Sequence, residues 1–213
     1  LSEVFNLKDF KLTGPEISLI AKKLKEGATL VYPTETFYGL GGTARLPEVA
    51  EKIFQLKGRD GQKTLPMVAA DLEMVFKFFE PDSVIFPKLA EQFWPGPLTI
   101  VVKVKEGLLP DEVIGLGRTA AVRVPPLDWL KELIKQTEGP LISTSANLSG
   151  QPPLDSFGEV YRIFASRVDI YIDGGKTPGE KPSTIIDLTG PETVCLREGQ
   201  IPFSRILDVL DNF

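Results

Sequence analysis

The sequence contains no histidine and a single cysteine, Cys195. Without histidine, Ser–His–Asp and Cys–His nucleophile systems and every His-ligated metal site are excluded. One cysteine leaves no intrachain disulfide and no thiolate zinc cluster. Its surroundings, Thr193-Val-Cys-Leu-Arg197, read as a short strand in which Cys195 is expected as a small buried residue. No apolar run approaches the ~18 residues of a membrane span. The first residues show no basic segment followed by an apolar one, so no signal peptide is expected. Positive charge is also in deficit: 24 Lys and Arg stand against 29 Asp and Glu, for a net charge of −5. Such a chain is no general nucleic-acid coat, although a local basic pocket can still hold anions. Chemistry therefore falls to lysine, arginine, hydroxyls, amides, carboxylates and backbone, with any metal arriving on the substrate.

What is present suits one globular unit: 213 residues, 42% apolar and 25% charged. The stretch from Leu30 to Ala44 organises the rest. It starts as a buried strand over 28–32, stopped by Pro33, which has no N–H for the ladder. Two hydroxyls come next, Thr34 and Thr36, with the carboxylate of Glu35 between them, and then three glycines within four residues. Either this is a ligand site at a strand's carboxyl end, or it is a Gly-rich turn capped by two threonines. Gly39-Leu-Gly41-Gly-Thr-Ala44 formally fits a dinucleotide fingerprint, but the first glycine does not follow the strand directly, which that fingerprint requires.

Around this stretch, Thr13-Gly-Pro-Glu16 reads as a capping box opening a helix that ends at Gly27. Pro47 opens a second helix, running out at Leu56-Lys57-Gly58-Arg59-Asp60-Gly61. Residues 65–69 read as a strand, and Asp71 caps a short helix. Residues 82–94 read as a helix broken near Pro87. Strands are expected over 98–104 and 120–124, a helix over 126–136, and a strand over 140–143. Ser156-Phe-Gly-Glu159 is a second capping box, before a helix to Phe164. Strands over 168–172, 184–188 and 193–196 enclose a Gly/Pro loop over 174–182, and the tail over 204–210 has helical spacing. Several strands succeed one another without a helix between them. That predicts an α/β fold with a mixed, twisted sheet and helices on its faces.

Polar clusters fall at strand ends: Thr34 and Thr36, Arg123, and Ser143-Thr-Ser-Ala-Asn147. Hydroxyls, an amide and fixed cations make a site for a polyanion such as a nucleoside triphosphate. Each has a plainer reading as well. Lys57 and Arg59 could form a solvated loop, and Ser143 to Asn147 an Asx-type turn. Arg123 lies in the otherwise apolar Ala120-Ala-Val-Arg-Val124, where a buried guanidinium needs an anionic partner. Ala121 and Arg123 share one face of that strand, and Val122 and Val124 share the other. Phe93 and Trp94 read as core rather than base-stacking residues.

Taken together, Pro33-Thr-Glu-Thr-Phe-Tyr-Gly-Leu-Gly41, Lys57-Gly-Arg59, Trp94-Pro-Gly-Pro-Leu-Thr99, Ala121-Val-Arg-Val-Pro125, Ser143-Thr-Ser-Ala-Asn-Leu-Ser-Gly150, Ser183-Thr-Ile-Ile-Asp187 and Leu196-Arg-Glu-Gly199 resemble the Sua5/YciO/YrdC family. The motifs run in one order over about residues 16–200. After Arg59 the chain departs from many members, reading Asp60-Gly-Gln-Lys-Thr-Leu-Pro66 without an early proline.

The resemblance implies a YrdC-like domain over 1–213, with its core over about 13–200 and a helical tail over 203–213, built around a large basic cavity. It implies the short single-domain subtype, threonylcarbamoyl-AMP synthesis from L-threonine, bicarbonate or CO2 and ATP, and a product used for the t6A modification of tRNA. Mg2+ would enter with ATP. Lys57, Arg59, Ser145 and Asn147 would carry the chemistry. Arg59, Lys63, Thr119, Ser145 and Arg197 would bind ATP, and Thr34, Thr36, Arg123, Ser143 and Ser183 would bind threonine. Further partners would be the downstream t6A transferase machinery and tRNA or double-stranded RNA, in the cytoplasm. A related carbamoyl-transfer module is disfavoured, because it comes with cysteine-rich zinc elements. A carbamate attacking an α-phosphate needs positioning and charge neutralisation more than a histidine base.

Overall fold

A computed structural model describes residues 2–9, 11–58, 64–82 and 84–211. In chain order its elements are β1 (Glu3–Asn6), α1 (Gly14–Lys25), β2 (Leu30–Pro33), β3 (Tyr38–Thr43), α2 (Pro47–Lys57), β4 (Met67–Val68), α3 (Leu72–Phe78), β5 (Phe79–Glu80) and α4 (Ile85–Phe93). They continue with β6 (Leu98–Val104), β7 (Thr119–Arg123), α5 (Asp128–Gln136), β8 (Leu141–Ser145), α6 (Phe157–Phe164), β9 (Ile170–Asp173), β10 (Thr184–Asp187), β11 (Val194–Arg197) and α7 (Phe203–Asp211).

The strands form one sheet in the order β1-β9-β2-β3-β8-β4-β7-β6-β10-β11, with β5 paired to β6. The β2–β9, β4–β7 and β6–β10 pairs are parallel, while β2–β3, β3–β8 and β6–β7 are antiparallel. The mixed sheet expected from the sequence is therefore the one formed.

Strand alternation sends side chains to two cores. On one face, Val31, Ile100, Val102, Val122 and Ile186 pack with Ile53 of α2, Phe86 of α4, Phe164 of α6 and Ile206 of α7. On the other, Leu30, Tyr32, Val68, Leu141 and Ile170 pack with Ile20 and Leu24 of α1 and with Trp129 and Leu133 of α5. Helices α1 and α5 cover this second face only over the β9-β2-β3-β8-β4 half of the sheet. Over β7, β6 and β10 the same face carries Arg123, Ala121, Thr99 and Ile185, which line a cavity instead.

Local signals account for many of the helix ends. Thr13 caps α1, its N–H bonded to Glu16 Oε2 at 2.7 Å and its hydroxyl accepting from the Glu16 N–H at 3.4 Å. The Thr13 hydroxyl, donating to Glu16 Oε2 at 2.7 Å, and then the Thr13 N–H hold the Glu16 carboxyl below its ordinary pKa. Gly27, at φ +89°, comes after the helix in the left-handed region that favours glycine. Ser156 caps α6. Trp94 is core, its Nε1 donating to Leu98 O at 2.6 Å.

Four local expectations are corrected. The helix near Pro87 is not broken. It starts at Ile85, so Pro87 lies in its first turn, where no N–H is required, and Asp82 Oδ1 accepts from the N–H groups of Val84 and Ile85. The glycines after Phe37 form a strand, β3, rather than a turn. Cys195 is half-buried on the outermost strand, β11, not a core residue. Strands β1 and β5 were not foreseen. Both are short and carry no continuous apolar pattern.

Candidate functional site

The cavity on the uncovered half of the sheet has a volume of about 660 Å3. Its walls come from the β2–β3 turn (Thr34, Thr36), β7 (Thr119, Ala121, Arg123), the end of β8 and the bend beyond it (Ser143, Ser145, Asn147), the start of β10 (Ser183, Ile185, Asp187), Arg197 of β11 and Lys57 at the end of α2. Every described residue named from the sequence as a site residue lines this one cavity. Arg59 and Lys63 lie outside the described residues. Among the described lining residues, the charged side chains are Lys57, Arg123, Arg197 and Asp187.

Arg123 projects where the strand alternation placed it. Val122 and Val124 are in the core, and Ala121 and Arg123 face the cavity. Its guanidinium is only 9% exposed and is paired through Nη1 with Glu35 Oε1, on a side chain 15% exposed. Glu35 is the ion-pair partner of Arg123 that sequence reasoning missed. It was visible between two threonines, but a turn residue gives no sign of which strand it will face. Its second oxygen, Oε2, is buried and has no hydrogen-bond partner among the described residues.

The β2–β3 turn is pinned by its own hydroxyls. Thr34 Oγ1 donates to Phe37 O at 2.7 Å and accepts from the Thr36 N–H at 3.1 Å. With the Thr34 proton used, the 3.0 Å contact between the two hydroxyls has Thr36 as donor, which leaves Thr36 oxygen lone pairs for a ligand. The two threonines therefore pin the β2–β3 turn and also face the cavity.

Glycine lets β3 run between its neighbours. A Cβ on Gly41 would lie 1.7 Å from the Ile142 carbonyl oxygen of β8, and one on Gly42 would lie 2.7 Å from Val49 Cγ1 of α2. That close packing brings Ser143, Ser145 and Asn147 alongside the turn.

Lys57 is buried, not solvated. Its Nζ donates to the carbonyls of Ser145 at 2.5 Å and Asn147 at 2.9 Å, tying the end of α2 to the end of β8. Asn147 donates through Nδ2 to Leu148 O at 2.8 Å and Gln151 O at 2.6 Å, while its Oδ1 is buried without a partner among the described residues.

On the opposite wall, Arg197 Nη2 donates to Ser183 O at 2.8 Å and to Ser183 Oγ at 3.1 Å, and Ser183 Oγ meets Thr99 Oγ1 at 2.9 Å. Thr119 Oγ1 is bonded to Leu116 O at 3.0 Å. Desolvation, and then repulsion from Arg123, lowers the Arg197 pKa from its ordinary value. Two guanidinium groups that repel each other across one cavity favour an anionic occupant.

Among the described residues, no group of three or more Asp, Glu, Cys or His side chains could hold a metal ion. Asp187 Oδ1 accepts from the N–H and hydroxyl of Thr189. A divalent cation here would fit as one carried by phosphate oxygens rather than by a protein cage.

A mixed sheet with helices on both faces and a polar, arginine-bearing cavity on its uncovered half defines an α/β fold with a pocket of small-molecule size. The same fold occurs in the crystal structure of Pyrococcus abyssi Sua5 complexed with L-threonine, which superimposes with a TM-score of 0.91 at 34% identity, covering 98% of this chain and 61% of that one. The Sua5/YciO/YrdC family, described under telomere recombination, matches residues 22–199. The chain belongs to that family. It is 36% identical over 195 residues to the threonylcarbamoyl-AMP synthase of Pyrococcus abyssi, covering 92% of this chain and 57% of the relative. It is 33% identical over 173 residues to the threonylcarbamoyl-AMP synthase of Marinobacter nauticus, covering 81% of this chain and 91% of the relative. The chain thus spans less than two thirds of the Pyrococcus protein. No described helix is long and apolar enough to cross a membrane.

Proposed function

We propose that this chain forms threonylcarbamoyl-AMP and pyrophosphate from L-threonine, bicarbonate or CO2, and ATP. The observation that carries this reading is the convergence, on one cavity, of Thr34, Thr36, Arg123, Ser143 and Ser183 with Lys57, Thr119, Ser145, Asn147 and Arg197. The Pyrococcus relatives, one named for this synthesis and one crystallised with L-threonine, support the same assignment.

Arg123 and Ser143 hold the amino acid's carboxylate, and Thr36 Oγ1 accepts a hydrogen bond from its amino or hydroxyl group. Arg197, with Arg59 and Lys63, neutralises the phosphates, and Ser145, Asn147 and Thr119 orient the nucleotide. Lys57 fixes the β8 end that carries Ser145 and Asn147. Mg2+ enters as part of the ATP substrate. Fixed donors around an in-line attack on the α-phosphate supply positioning and charge neutralisation, which phosphoryl-type transfer needs most. The product passes to the transferase machinery of t6A modification, in the cytoplasm.

Incubating the protein with MgATP, L-threonine and bicarbonate should release pyrophosphate in a threonine- and bicarbonate-dependent way. Binding of ATP with no pyrophosphate released when all three are present sinks the enzyme reading. RNA retention by such a protein would point to a binding module instead.

A further inference from the structure

From the geometry we infer that Tyr32 is a positioning residue for amino-acid recognition: its phenol donates a hydrogen bond to Ser143 Oγ, fills one of that oxygen's two acceptor positions, and so leaves the Ser143 hydrogen available to the cavity. The inference rests on the threonine reading above and extends it to a residue that does not itself line the cavity.

Tyr32 stands at the border between the helix-covered and uncovered halves of one sheet face. Its ring is fully buried in the α1/α5 core, edge-on to Trp129 with centroids 6.3 Å apart. It pairs across the ladder with Gly39, and a Cβ at that position would lie 3.1 Å from the ring's Cζ. The glycine lets the ring cross β3 toward β8. There its hydroxyl meets Ser143 Oγ at 2.6 Å.

Direction comes from counting protons. The geometry has Tyr32 Oη as donor and Ser143 Oγ as acceptor, and burial, which pushes the phenol up to about 12, keeps that proton in place at neutral pH. Ser143 Oγ accepts it, and a serine hydroxyl has only one hydrogen of its own. That hydrogen is not used on Tyr32, and Ser143 lines the cavity. Arg123 and Glu35 are close enough to Tyr32 to act on it electrostatically, so this wall joins the Arg123 site. Ser143 and Arg123 both offer donors there, and their shared complement is a carboxylate. A serine free to rotate could accept as easily as donate. By filling one acceptor position, Tyr32 biases Ser143 toward donating.

The test is a double-mutant cycle read by calorimetric titration of L-threonine in the presence of ATP. Phe at position 32 keeps the ring and its packing against Trp129 and Gly39. Tyr32→Phe should weaken threonine about 5-fold, the size of one lost neutral hydrogen bond, with ATP affinity changed less than 2-fold. Ser143→Ala should weaken threonine at least as much. The double variant should bind no more weakly than Ser143→Ala alone, because Tyr32 acts only through Ser143. Unchanged threonine affinity in Tyr32→Phe beside a loss in Ser143→Ala overturns the inference while leaving the threonine reading intact. Additive losses in the double variant overturn it too. A wild-type protein that binds ATP but no threonine overturns both.

Discussion

Replacing Arg123 separates its two roles, as partner of Glu35 and as carboxylate fork. In Arg123→Lys the positive charge stays beside Glu35, so folding should survive with only a small change in melting temperature. The planar fork is lost, and a lysine's point charge cannot make paired bonds to a carboxylate. A hydrogen bond to a charged group contributes roughly 1.5–3 kcal/mol, so threonine affinity should fall ~10- to 100-fold. Arg123→Met asks the other question. Glu35 would then be buried without its cation, and breaking such a pair costs about 3–5 kcal/mol. For a chain of this size, where 1 kcal/mol shifts Tm by about 2–4 °C, that is a fall of roughly 6–20 °C. Adding Glu35→Gln to Arg123→Met should recover much of the Tm but none of the threonine affinity. Threonine calorimetry with ATP present and thermal melts of the same samples read the two effects separately. If Arg123→Lys binds threonine as well as wild type, the guanidinium is only a structural ion-pair partner. If Arg123→Met melts like wild type, the Glu35 pair contributes nothing to stability and the reasoning from burial is wrong.

Arg197→Ala should weaken ATP at least ~10-fold and leave threonine within a few-fold, measured by separate titrations; equal losses for both would move Arg197 out of the phosphate site. Gly41→Ala places a methyl 1.7 Å from the Ile142 carbonyl oxygen, and should cost more than ~4 kcal/mol by denaturant unfolding; a mild effect would mean β3 and β8 can move apart. Thr13→Ala should cost about 1 kcal/mol through the lost α1 cap. The Glu16 carboxyl is held low in the folded state, so its contribution is present above the ordinary carboxylate pKa and lost as pH falls through the lowered one. Unfolding curves from pH 7 down to pH 3 should show a larger acid loss in wild type than in Thr13→Ala, which keeps only the backbone N–H bond to Glu16.

Much of this protein was legible in the chain because the signals are local. The Thr13–Glu16 cap, the α2 start at Pro47 and the alternation of Ala121, Val122, Arg123 and Val124 each depend on neighbours a few residues away. The polar strand ends likewise marked the residues that meet in the cavity. The sequence did not disclose what needed packing from a distance. Gly39, Gly41 and Gly42 read as a turn by composition. They form a strand paired with β2 and β8, and β8 and α2 come too close for a side chain at Gly41 and Gly42 while the Tyr32 ring crowds Gly39. Lys57 read equally well as a solvated cation, and only the arrival of β8 beneath α2 gave its ammonium two carbonyls. Glu35 found Arg123 across 88 residues of sequence, and Tyr32 found Ser143 across 111. Helices α1 and α5 could be foreseen from periodicity, but not that they stop halfway across the sheet. That unfilled half is where the cavity lies, and a gap between elements is a property of their arrangement in space, which no local pattern of residues encodes.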